Sequence, residues 1–326
     1  MSLTAPALTL PDWPMFGLAD DVRPALASAM AAGAPSALVT LFAVEGGGPR
    51  PPGTQMLFSA DAVSGFLSGG CVEGDIAIHA AATLADGEPR RLLYGEGGPW
   101  PDIRLLCGAS IEILVERVAA DDPAAAQLLA HTDARRAALW ISDGTTRTVV
   151  ADPPANAPDC AVTGEPFQVA RLFAPVFKLV VIGADPIALA IASLGEQAGF
   201  ETYLVRPKGP ETAPPLPGVV YSRAGPAEAL AAIGLDRWTA VAVATHDWDT
   251  DQASLLAALP SPAAYVGVLG ARRRLPERLA RLRAAGVAET ALARLKAPIG
   301  LDLGGKAPWE VAVAVIGEIV AERQRR

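Results

Sequence analysis

Two cysteines stand beside glycines in positions that could support chemistry. Cys71 follows Gly69 and Gly70 and precedes a predicted helix, and Cys107 precedes Gly108. A helix N-terminus stabilises a thiolate, which is a nucleophile and a ligand for soft metals. We therefore predict that Cys71 binds a metal-containing or electrophilic ligand and that Cys107 could converge on it. The alternative is that each cysteine is a small buried hydrophobic residue.

The spacing of these cysteines excludes a standard zinc motif. Cys71 and Cys107 lie far apart in the chain, and neither belongs to a Cys-x-x-Cys pair. Glu73 belongs to the same motif as Cys71 and is a further candidate cofactor-binding residue, although its carboxylate opposes thiolate formation. Cys160 lies in a proline-rich segment, and we predict no role for it.

A glycine-rich segment, Glu-Gly-Gly-Gly-Pro-Arg-Pro-Pro-Gly, occupies residues 45–53. Glycines let the backbone approach a ligand closely, and the guanidinium of Arg50 could bind an anion. This pattern predicts a ligand-binding loop, and a flexible hairpin loop is the alternative.

Gly183 follows an apolar run and precedes a predicted helix that starts at Pro186. A strand, a glycine turn and a helix start are typical of dinucleotide-binding folds, in which the helix N-terminus attracts a phosphate. The Gly-x-Gly-x-x-Gly fingerprint is incomplete, because Asp185 and Ala188 stand at its second and third glycines. Arg206 stands where an acidic ribose ligand is expected. The pattern predicts a Rossmann-like fold and disfavours NAD(P) binding.

His246 and Arg272 each follow a further predicted strand of the same half. Ligands of open parallel sheets bind outside the carboxyl ends of the strands, where a histidine can act as a base, a ligand or a phosphate contact. Arg272 begins an arginine run whose guanidinium groups could bind phosphate oxygens. A solvated basic face is the alternative for Arg272.

Two domains of different type must position these residues. Residues 1–171 are predicted to form an N-terminal α+β domain that carries the glycine-cysteine motifs. Its predicted strands are 37–44, 55–58, 64–67, 111–118, 139–142 and 146–150, and its predicted helix is 73–85. Residues 172–326 are predicted to form a Rossmann-like domain with a parallel sheet covered by helices on both faces, which makes the fold class α/β. Its predicted strands are 178–182, 201–205, 240–244 and 265–269, and its predicted helices are 186–198, 226–233 and 250–258.

Composition excludes several protein classes. The chain has 326 residues, of which 51% are hydrophobic and 19% charged, and this excludes a disordered or fibrous protein. Three scattered cysteines argue against a disulfide scaffold and favour the cytoplasm. We predict no membrane span and no secretory signal. A net charge of −8 argues against nucleic-acid binding, despite the arginines between 272 and 283.

Six motifs together carry a resemblance to a known family. They are Gly-Gly-Gly-Pro-Arg-Pro-Pro-Gly at 46–53, Ser-Gly-Gly-Cys-Val-Glu-Gly-Asp at 68–75, Cys-Gly-Ala at 107–109, Thr-His-Asp at 245–247, Gly-Val-Leu-Gly-Ala-Arg-Arg-Arg at 267–274 and Ala-Pro-Ile-Gly-Leu-Asp-Leu-Gly at 297–304. In this order they resemble the xanthine dehydrogenase accessory protein family, XdhC/CoxI. The chain departs from the family pattern at 183–186, where Gly-Ala-Asp-Pro replaces the usual Gly-Ala-Gly-His.

The resemblance implies a chaperone for the molybdenum cofactor, bound as molybdopterin or its dinucleotide form. Such a protein presents the cofactor for sulfuration by a cysteine desulfurase and assists its insertion into a molybdenum hydroxylase such as xanthine dehydrogenase. Cys71 and Cys107 match the family's cysteines and are the candidate metal ligands, and His246 matches its Thr-His motif. The implied cofactor-binding set is Cys71, Cys107, Arg50, Gly69, Gly70, Glu73, Gly183, His246 and Arg272.

Other functions stay open from the sequence. The resemblance favours a chaperone that has no turnover reaction of its own. An NAD(P)-dependent oxidoreductase that uses the Rossmann-like domain is the first alternative, and a purely scaffolding protein is the second. Base rates favour a homodimer.

Overall fold

The computed structural model describes residues 8–48, 50–99, 105 and 108–324. The chain divides into two compact units, Met1–Pro175 and Val176–Arg326. The boundary predicted between residues 171 and 172 lies within a strand, Gln168–Phe173, that pairs with its neighbours in the first unit. The first unit therefore extends to Pro175.

The first unit contains two antiparallel sheets. Its helices are α1 (Arg23–Ala31), α2 (Glu73–Asp86) and α3 (Pro123–Asp133). Its strands are β1 (Ser36–Glu45), β2 (Gln55–Phe58), β3 (Val63–Gly65), β4 (Arg90–Tyr94), β5 (Ser110–Val118), β6 (Ala138–Ser142), β7 (Arg147–Ala151), β8 (Cys160–Thr163) and β9 (Gln168–Phe173). One sheet has the order β3-β2-β1-β5-β4 and the other the order β7-β6-β9-β8.

Helix α2 covers the five-stranded sheet. Its buried residues Ile76 and Ala80, four positions apart, belong to one core cluster with Val39 of β1 and Ile113 of β5. This spacing places both side chains on one face of the helix, so burial of that face holds α2 against the sheet. The N-terminal turn of α2 is thereby fixed relative to the strand ends.

The second unit contains a six-stranded parallel sheet. Its strands are β10 (Lys178–Gly183), β11 (Glu201–Val205), β12 (Val220–Ser222), β13 (Thr239–Ala244), β14 (Tyr265–Val268) and β15 (Leu295–Lys296), in the order β12-β11-β10-β13-β14-β15. Its helices are α4 (Pro186–Gln197), α5 (Pro226–Ile233), α6 (Trp248–Ala258), α7 (Leu275–Ala284), α8 (Glu289–Leu292) and α9 (Pro308–Gln324).

Alternate residues of β10 face two separate cores. Leu179 and Val181 pack in the cluster that contains α4 and α9, whereas Val180 and Ile182 pack in the cluster that contains α5, α6 and α7. Because successive side chains of a strand point to opposite faces, helices cover both sides of the sheet. The predicted α/β class, with an α+β first half and a Rossmann-like second half, is confirmed.

Several elements differ from the predictions. The hairpin strand predicted at 64–67 is β3 (Val63–Gly65), and Gly65 has a φ of +88° with Gln55 O only 2.2 Å from where a Cβ would lie. Short edge strands β12 and β15 were not predicted. Cys160, for which no role is predicted, begins the unpredicted strand β8. Within the described part of the chain, no helix combines the length and apolar character needed to cross a membrane.

Candidate functional site

A buried carboxylate builds the turn that carries Cys71. Glu73, the first residue of α2, accepts the backbone N–H groups of Leu67 at 3.2 Å and Ser68 at 2.6 Å. It also accepts the Ser68 hydroxyl at 2.6 Å, and the oxygen of that hydroxyl accepts the N–H of Cys71 at 3.1 Å. Glu73 and Ser68 are each only 2% exposed. Cys71 is therefore held through Ser68, while the residue itself is exposed.

The two glycines of this turn leave its outer surface open. Gly69 and Gly70 are exposed, and no atom lies within 4 Å of where their Cβ atoms would be. Gly70 has a φ of +92°, a backbone conformation that L side chains rarely adopt. The turn therefore presents backbone and one thiol to solvent.

A tyrosine connects the start of α2 to the end of β4. The Tyr94 hydroxyl donates to Asp75 Oδ2 at 2.6 Å, and His79 Nε2 lies 3.4 Å from the same oxygen. Burial and the neighbouring Asp75 raise the pKa of Tyr94 above its ordinary value. Asp75 lies in the first turn of α2, so this contact fixes the start of the helix that follows Cys71.

The glycine-rich loop after β1 approaches the segment that precedes β5. A Cβ at Gly46, whose φ is +78°, would lie 3.4 Å from the carbonyl oxygen of Gly108. The guanidinium of Arg50 pairs with Asp20 through Nη2, and its Nε is buried without a hydrogen-bond partner among the described residues.

Strand register brings these segments to one edge of the sheet. Glu45 pairs with Ser110, and Tyr94 pairs with Ile111, so β1 and β4 both end where β5 begins. The Tyr94–Asp75 contact adds the start of α2 to the same edge. We call this surface the glycine edge; it comprises residues 46–48, 50–53, 68–71 and 108–109. Its residues include the predicted Arg50, Gly69, Gly70 and Cys71.

Cys71 and Cys107 are the predicted metal ligands of the glycine edge. Cys107 lies outside the described residues. Among the residues that the structure does describe, no group of three or more His, Cys, Asp or Glu side chains could hold a metal ion. Cys71 therefore has no described partner for a protein-only metal site.

A cavity of about 700 Å³ lies elsewhere in the first unit. Its lining includes Phe58 and Val63 of the β2–β3 hairpin and Ala81 and Leu84 near the end of α2. None of the predicted site residues that the structure describes lines it. Its size alone would favour it as a ligand site, but its lining offers neither a thiol nor a basic group, so we favour the glycine edge for the chemistry that the motifs predict.

In the second unit, Gly183 serves close packing. A Cβ at this position would lie 2.3 Å from the carbonyl oxygen of Ala244 and 2.6 Å from Cβ of Ala188. A side chain would therefore collide with the neighbouring strand and with α4. The glycine that ends β10 is explained by contacts inside the fold.

Asp185 occupies the N-terminus of α4. Its Oδ1 accepts the N–H of Ala188 at 2.9 Å, and its Oδ2 lies 2.9 Å from Nε2 of His246. The side chain of His246 is 79% exposed. A carboxylate thus stands where dinucleotide-binding folds place a phosphate, and it joins the ends of β10 and β13.

A second network continues toward β14. Thr245 donates to Asp251 Oδ1 at 2.6 Å, and Arg278 donates to Asp251 Oδ2 at 2.8 Å. Burial raises the pKa of Asp251, while the bonds from Thr245 and Arg278 lower it. The adjacent residues Thr245 and His246 therefore contact opposite neighbours along the sheet edge.

Ion pairs engage most of the arginines that follow β14. Arg272, the predicted phosphate contact, is exposed and lies 3.2 Å from Asp302. The other pairs are Arg278 with Asp251, Arg281 with Glu277 and Arg283 with Glu289. No geometry of the described residues joins Arg272 to His246 directly.

Comparisons with known proteins agree with these motifs. The family model of the XdhC Rossmann domain matches residues 179–319, and that of the XdhC and CoxI family matches residues 29–95. The molybdenum cofactor insertion chaperone PaoD of Escherichia coli (strain K12) is 30% identical over 310 residues, which cover 94% of this chain and 90% of PaoD. The chain belongs to the XdhC and CoxI family. The resemblance inferred from the six motifs is confirmed.

Two further relatives extend this family assignment. A protein of Bacillus subtilis (strain 168), described as a probable xanthine dehydrogenase component, is 24% identical over 321 residues, covering 88% of this chain and 93% of that protein. A crystal structure described as a xanthine dehydrogenase from Bacillus halodurans has a TM-score of 0.73 at 23% identity and covers 93% of this chain and 96% of its own. The structural likeness shows a shared fold.

Sequence reasoning missed residues that act through their neighbours. The hydroxyl oxygen of Ser68 accepts the backbone N–H of Cys71. The hydrogen bond between Tyr94 and Asp75 holds the start of α2. Asp251 accepts a hydrogen bond from the buried Arg278. The partners of Asp75 and Asp251 are distant in sequence, so no local pattern indicates them.

Proposed function

We propose that this protein binds the molybdenum cofactor and assists its insertion into a molybdenum hydroxylase such as xanthine dehydrogenase. The observation that carries the proposal is the exposed Cys71, held on an open glycine turn by the buried Glu73. The similarity to PaoD over nearly the whole chain supports it. An accessory protein needs an accessible but well-positioned binding group, because it must hold a ligand and later release it.

The residues at the glycine edge fit an anionic pterin cofactor. When bound, the cofactor supplies a molybdenum centre with soft sulfur ligands and a negatively charged phosphate. A thiolate of Cys71 suits the metal, and the guanidinium of Arg50 suits an anion. Backbone at Gly69 and Gly70 can approach the ring without steric conflict. Cys107 is proposed as a second thiol ligand from its family motif.

Glu73 has a different role in this proposal. Its carboxylate is buried and accepts three hydrogen bonds of 3.2 Å or less from Leu67 and Ser68. A group with this set of donors is not free to contact a ligand at the surface. We assign Glu73 as a positioning residue that orients Cys71.

The finer parts of the proposal rest on the family resemblance. They are sulfuration of the bound cofactor by a cysteine desulfurase, the use of molybdopterin or its dinucleotide form, a cytoplasmic location and a homodimer. An exposed free thiol suits a reducing compartment. Gly183, His246 and Arg272 are proposed as cofactor contacts from the family motifs alone, and the packing of Gly183 against Ala244 and Ala188 argues against a ligand contact at that residue.

An NAD(P)-dependent reaction is disfavoured by the second unit. The Asp185 carboxylate caps α4 and would repel a pyrophosphate at that helix start. We therefore propose no hydride transfer and no turnover reaction for this chain.

Pterin content tests the proposal. The protein is produced in cells that synthesise molybdenum cofactor, freed of small molecules, denatured and oxidised, and the fluorescent pterin is quantified per chain. We expect near-stoichiometric pterin in the parent protein, a large loss in Cys71→Ala and retention in Cys160→Ala, the matched control. Transfer is then measured as the activity gained by a cofactor-free molybdenum hydroxylase.

Two results would overturn parts of the proposal separately. A parent protein without pterin, under loading conditions that work for a known binder, would reject cofactor binding. Unchanged pterin in Cys71→Ala would reject the role of the thiol while leaving cofactor binding intact.

A further inference from the structure

We infer that the second unit binds the phosphate group of a phosphate ester at the end of β14, between residues 269–274 and the start of α7. This inference does not rest on the proposed function, because it is argued from the geometry around Arg278 in the second unit, whereas the proposed function is argued from Cys71 in the first unit. The groups that carry it are Arg278, Arg274 and Arg272.

The first observation is a buried guanidinium with a spare donor. The side chain of Arg278 is 8% exposed, and its Nη2 donates to Asp251. Its Nη1 is buried and has no hydrogen-bond partner among the described residues. A buried donor on a charged group is costly to leave unsatisfied, so an acceptor from outside the chain is expected at Nη1.

The second observation is a small recess in front of this guanidinium. It is lined by Gly270, Ala271, Arg272, Arg274 and Arg278 together with apolar residues, and its lining contains no carboxylate. Its volume of about 10 Å³ accommodates roughly one water-sized group. One oxygen of an oxyanion can therefore enter, while its other oxygens stay at the mouth beside the exposed arginines.

Charge favours an anion over a neutral ligand at the mouth of the recess. Arg274 lies 5.8 Å from the ring of Trp248 and has no acidic partner among the described residues. Arg272 has only an exposed contact with Asp302, which a ligand in solvent could replace. A tetrahedral phosphate offers several acceptors and matches the fork of donors that a guanidinium presents.

The backbone beside the recess is open for such a ligand. Gly270 has a φ of +147°, and a Cβ there would lie 3.5 Å from Nη2 of Arg278. A Cβ at this position would therefore be in van der Waals contact with the guanidinium, so the backbone of Gly270 lies directly beside it. Ala271, the next residue, is exposed.

The position within the sheet agrees with this assignment. The carboxyl ends of β10, β13 and β14 lie along one edge, where parallel α/β sheets bind ligands. At the end of β10 the carboxylate of Asp185 occupies the helix start, and at the end of β14 the lining is cationic. Phosphate binding in this unit is thus assigned to the end of β14, two strands away from the turn between β10 and α4.

Calorimetric titration of the full chain tests the inference, with inorganic phosphate, pyrophosphate and a nucleoside monophosphate as probes at fixed ionic strength. We expect saturable binding of phosphate and tighter binding of a probe that carries a further phosphate or a nucleoside. Acetate at the same concentration should not compete. Arg274→Ala should weaken binding about tenfold, whereas Arg273→Ala, the neighbouring arginine outside the recess, should not.

Two further variants keep the test decisive. Arg278→Lys retains a positive charge near Asp251 but removes the guanidinium fork, and it should abolish saturable binding. If Arg278→Lys does not fold, Ala271→Asp, at an exposed position, should abolish binding by repulsion while the circular dichroism stays unchanged. Absence of saturable phosphate binding by the parent protein would overturn the inference, as would equal weakening by Arg273→Ala and Arg274→Ala.

The result is independent of the pterin assay. Cys71→Ala should bind phosphate as the parent does, because Cys71 belongs to the first unit. Loss of pterin with retained phosphate binding, or the reverse, would separate the two sites.

Discussion

Oδ2 of Asp185 lies 2.9 Å from Nε2 of His246, while Oδ1 of the same carboxylate accepts the N–H of Ala188. Both oxygens are engaged by the chain itself. A phosphate placed at the start of α4 would have to displace this carboxylate and overcome its charge. At the start of α4, where a dinucleotide site would bind a phosphate, the side chain of Asp185 caps the helix.

Removal of this cap should destabilise the second unit. Asp185→Ala is expected to lower the free energy of unfolding by about 1 kcal/mol, because α4 loses its N-cap acceptor. Asp185→Asn keeps an acceptor oxygen for Ala188 and should lose less. Urea denaturation of both variants measures the difference, with His246→Ala as the control for the exposed contact. Equal losses for Asp185→Ala and Asp185→Asn would contradict a capping role.

Glu73→Gln should loosen the turn that carries Cys71. The carboxylate accepts hydrogen bonds from Leu67 and Ser68, and an amide nitrogen in place of one oxygen would face these donors. We expect a loss of about 2 kcal/mol in the free energy of unfolding and faster proteolysis near residue 70. Denaturation and limited proteolysis check this prediction. Glu88→Gln, at an exposed position, is the control, and an equally stable turn in Glu73→Gln would refute the assignment.

The buried Glu116 should give stability a distinct pH dependence. It accepts hydrogen bonds from Trp140 and Ser142 and lies 3.2 Å from Nε of Arg147. Burial raises the pKa of Glu116 above its ordinary value of 4.5. Because the folded state then binds the proton more tightly, Glu116 stabilises the fold most at low pH and loses this contribution as pH rises through the folded pKa.

A comparison of the parent protein with Glu116→Gln isolates this effect. The stability of the parent relative to Glu116→Gln should decrease as pH is raised from below 4.5. Denaturant titrations at several pH values measure the difference between the two proteins. A difference that is constant with pH would show that burial does not perturb this carboxyl group.

Cys71 should react with thiol reagents before Cys160. Cys71 is exposed, whereas burial raises the pKa of the half-buried Cys160 thiol, with Arg171 acting in the opposite direction. The thiolate is the reactive species, so a higher pKa slows alkylation at neutral pH. Timed alkylation followed by peptide mapping gives both rates. In Cys71→Ser the fast phase at this peptide should disappear; earlier labelling of Cys160 would contradict the prediction.

Local sequence signals predicted the central elements of the second unit well. The apolar run at 178–182 corresponds to β10, and the proline-led segment from Pro186 corresponds to α4, because a buried parallel strand and a helix start have strong local patterns. Strands β12 and β15 have three and two residues and depend on pairing with a neighbour. No local pattern of that length distinguishes a strand from a loop.

The sequence predicted which residues form the candidate site better than it predicted the role of each residue. Cys71, Gly69 and Gly70 were predicted as a ligand-binding turn, and the structure shows how the turn is held. Glu73 was predicted beside the ligand, yet its donors come from Leu67 and Ser68, a relationship that only the folded turn reveals. The packing reason for Gly183 likewise depends on Ala244, which is distant in sequence.

The turn after β13 sends two consecutive residues in different directions, Thr245 to Asp251 and His246 to Asp185. Each contact depends on the number of residues in this short turn. Insertion or deletion of a single residue after Ala244 would break both contacts at once, whereas a substitution at either position would break only one. The length of the turn is therefore under tighter physical constraint than the identity of either residue in it.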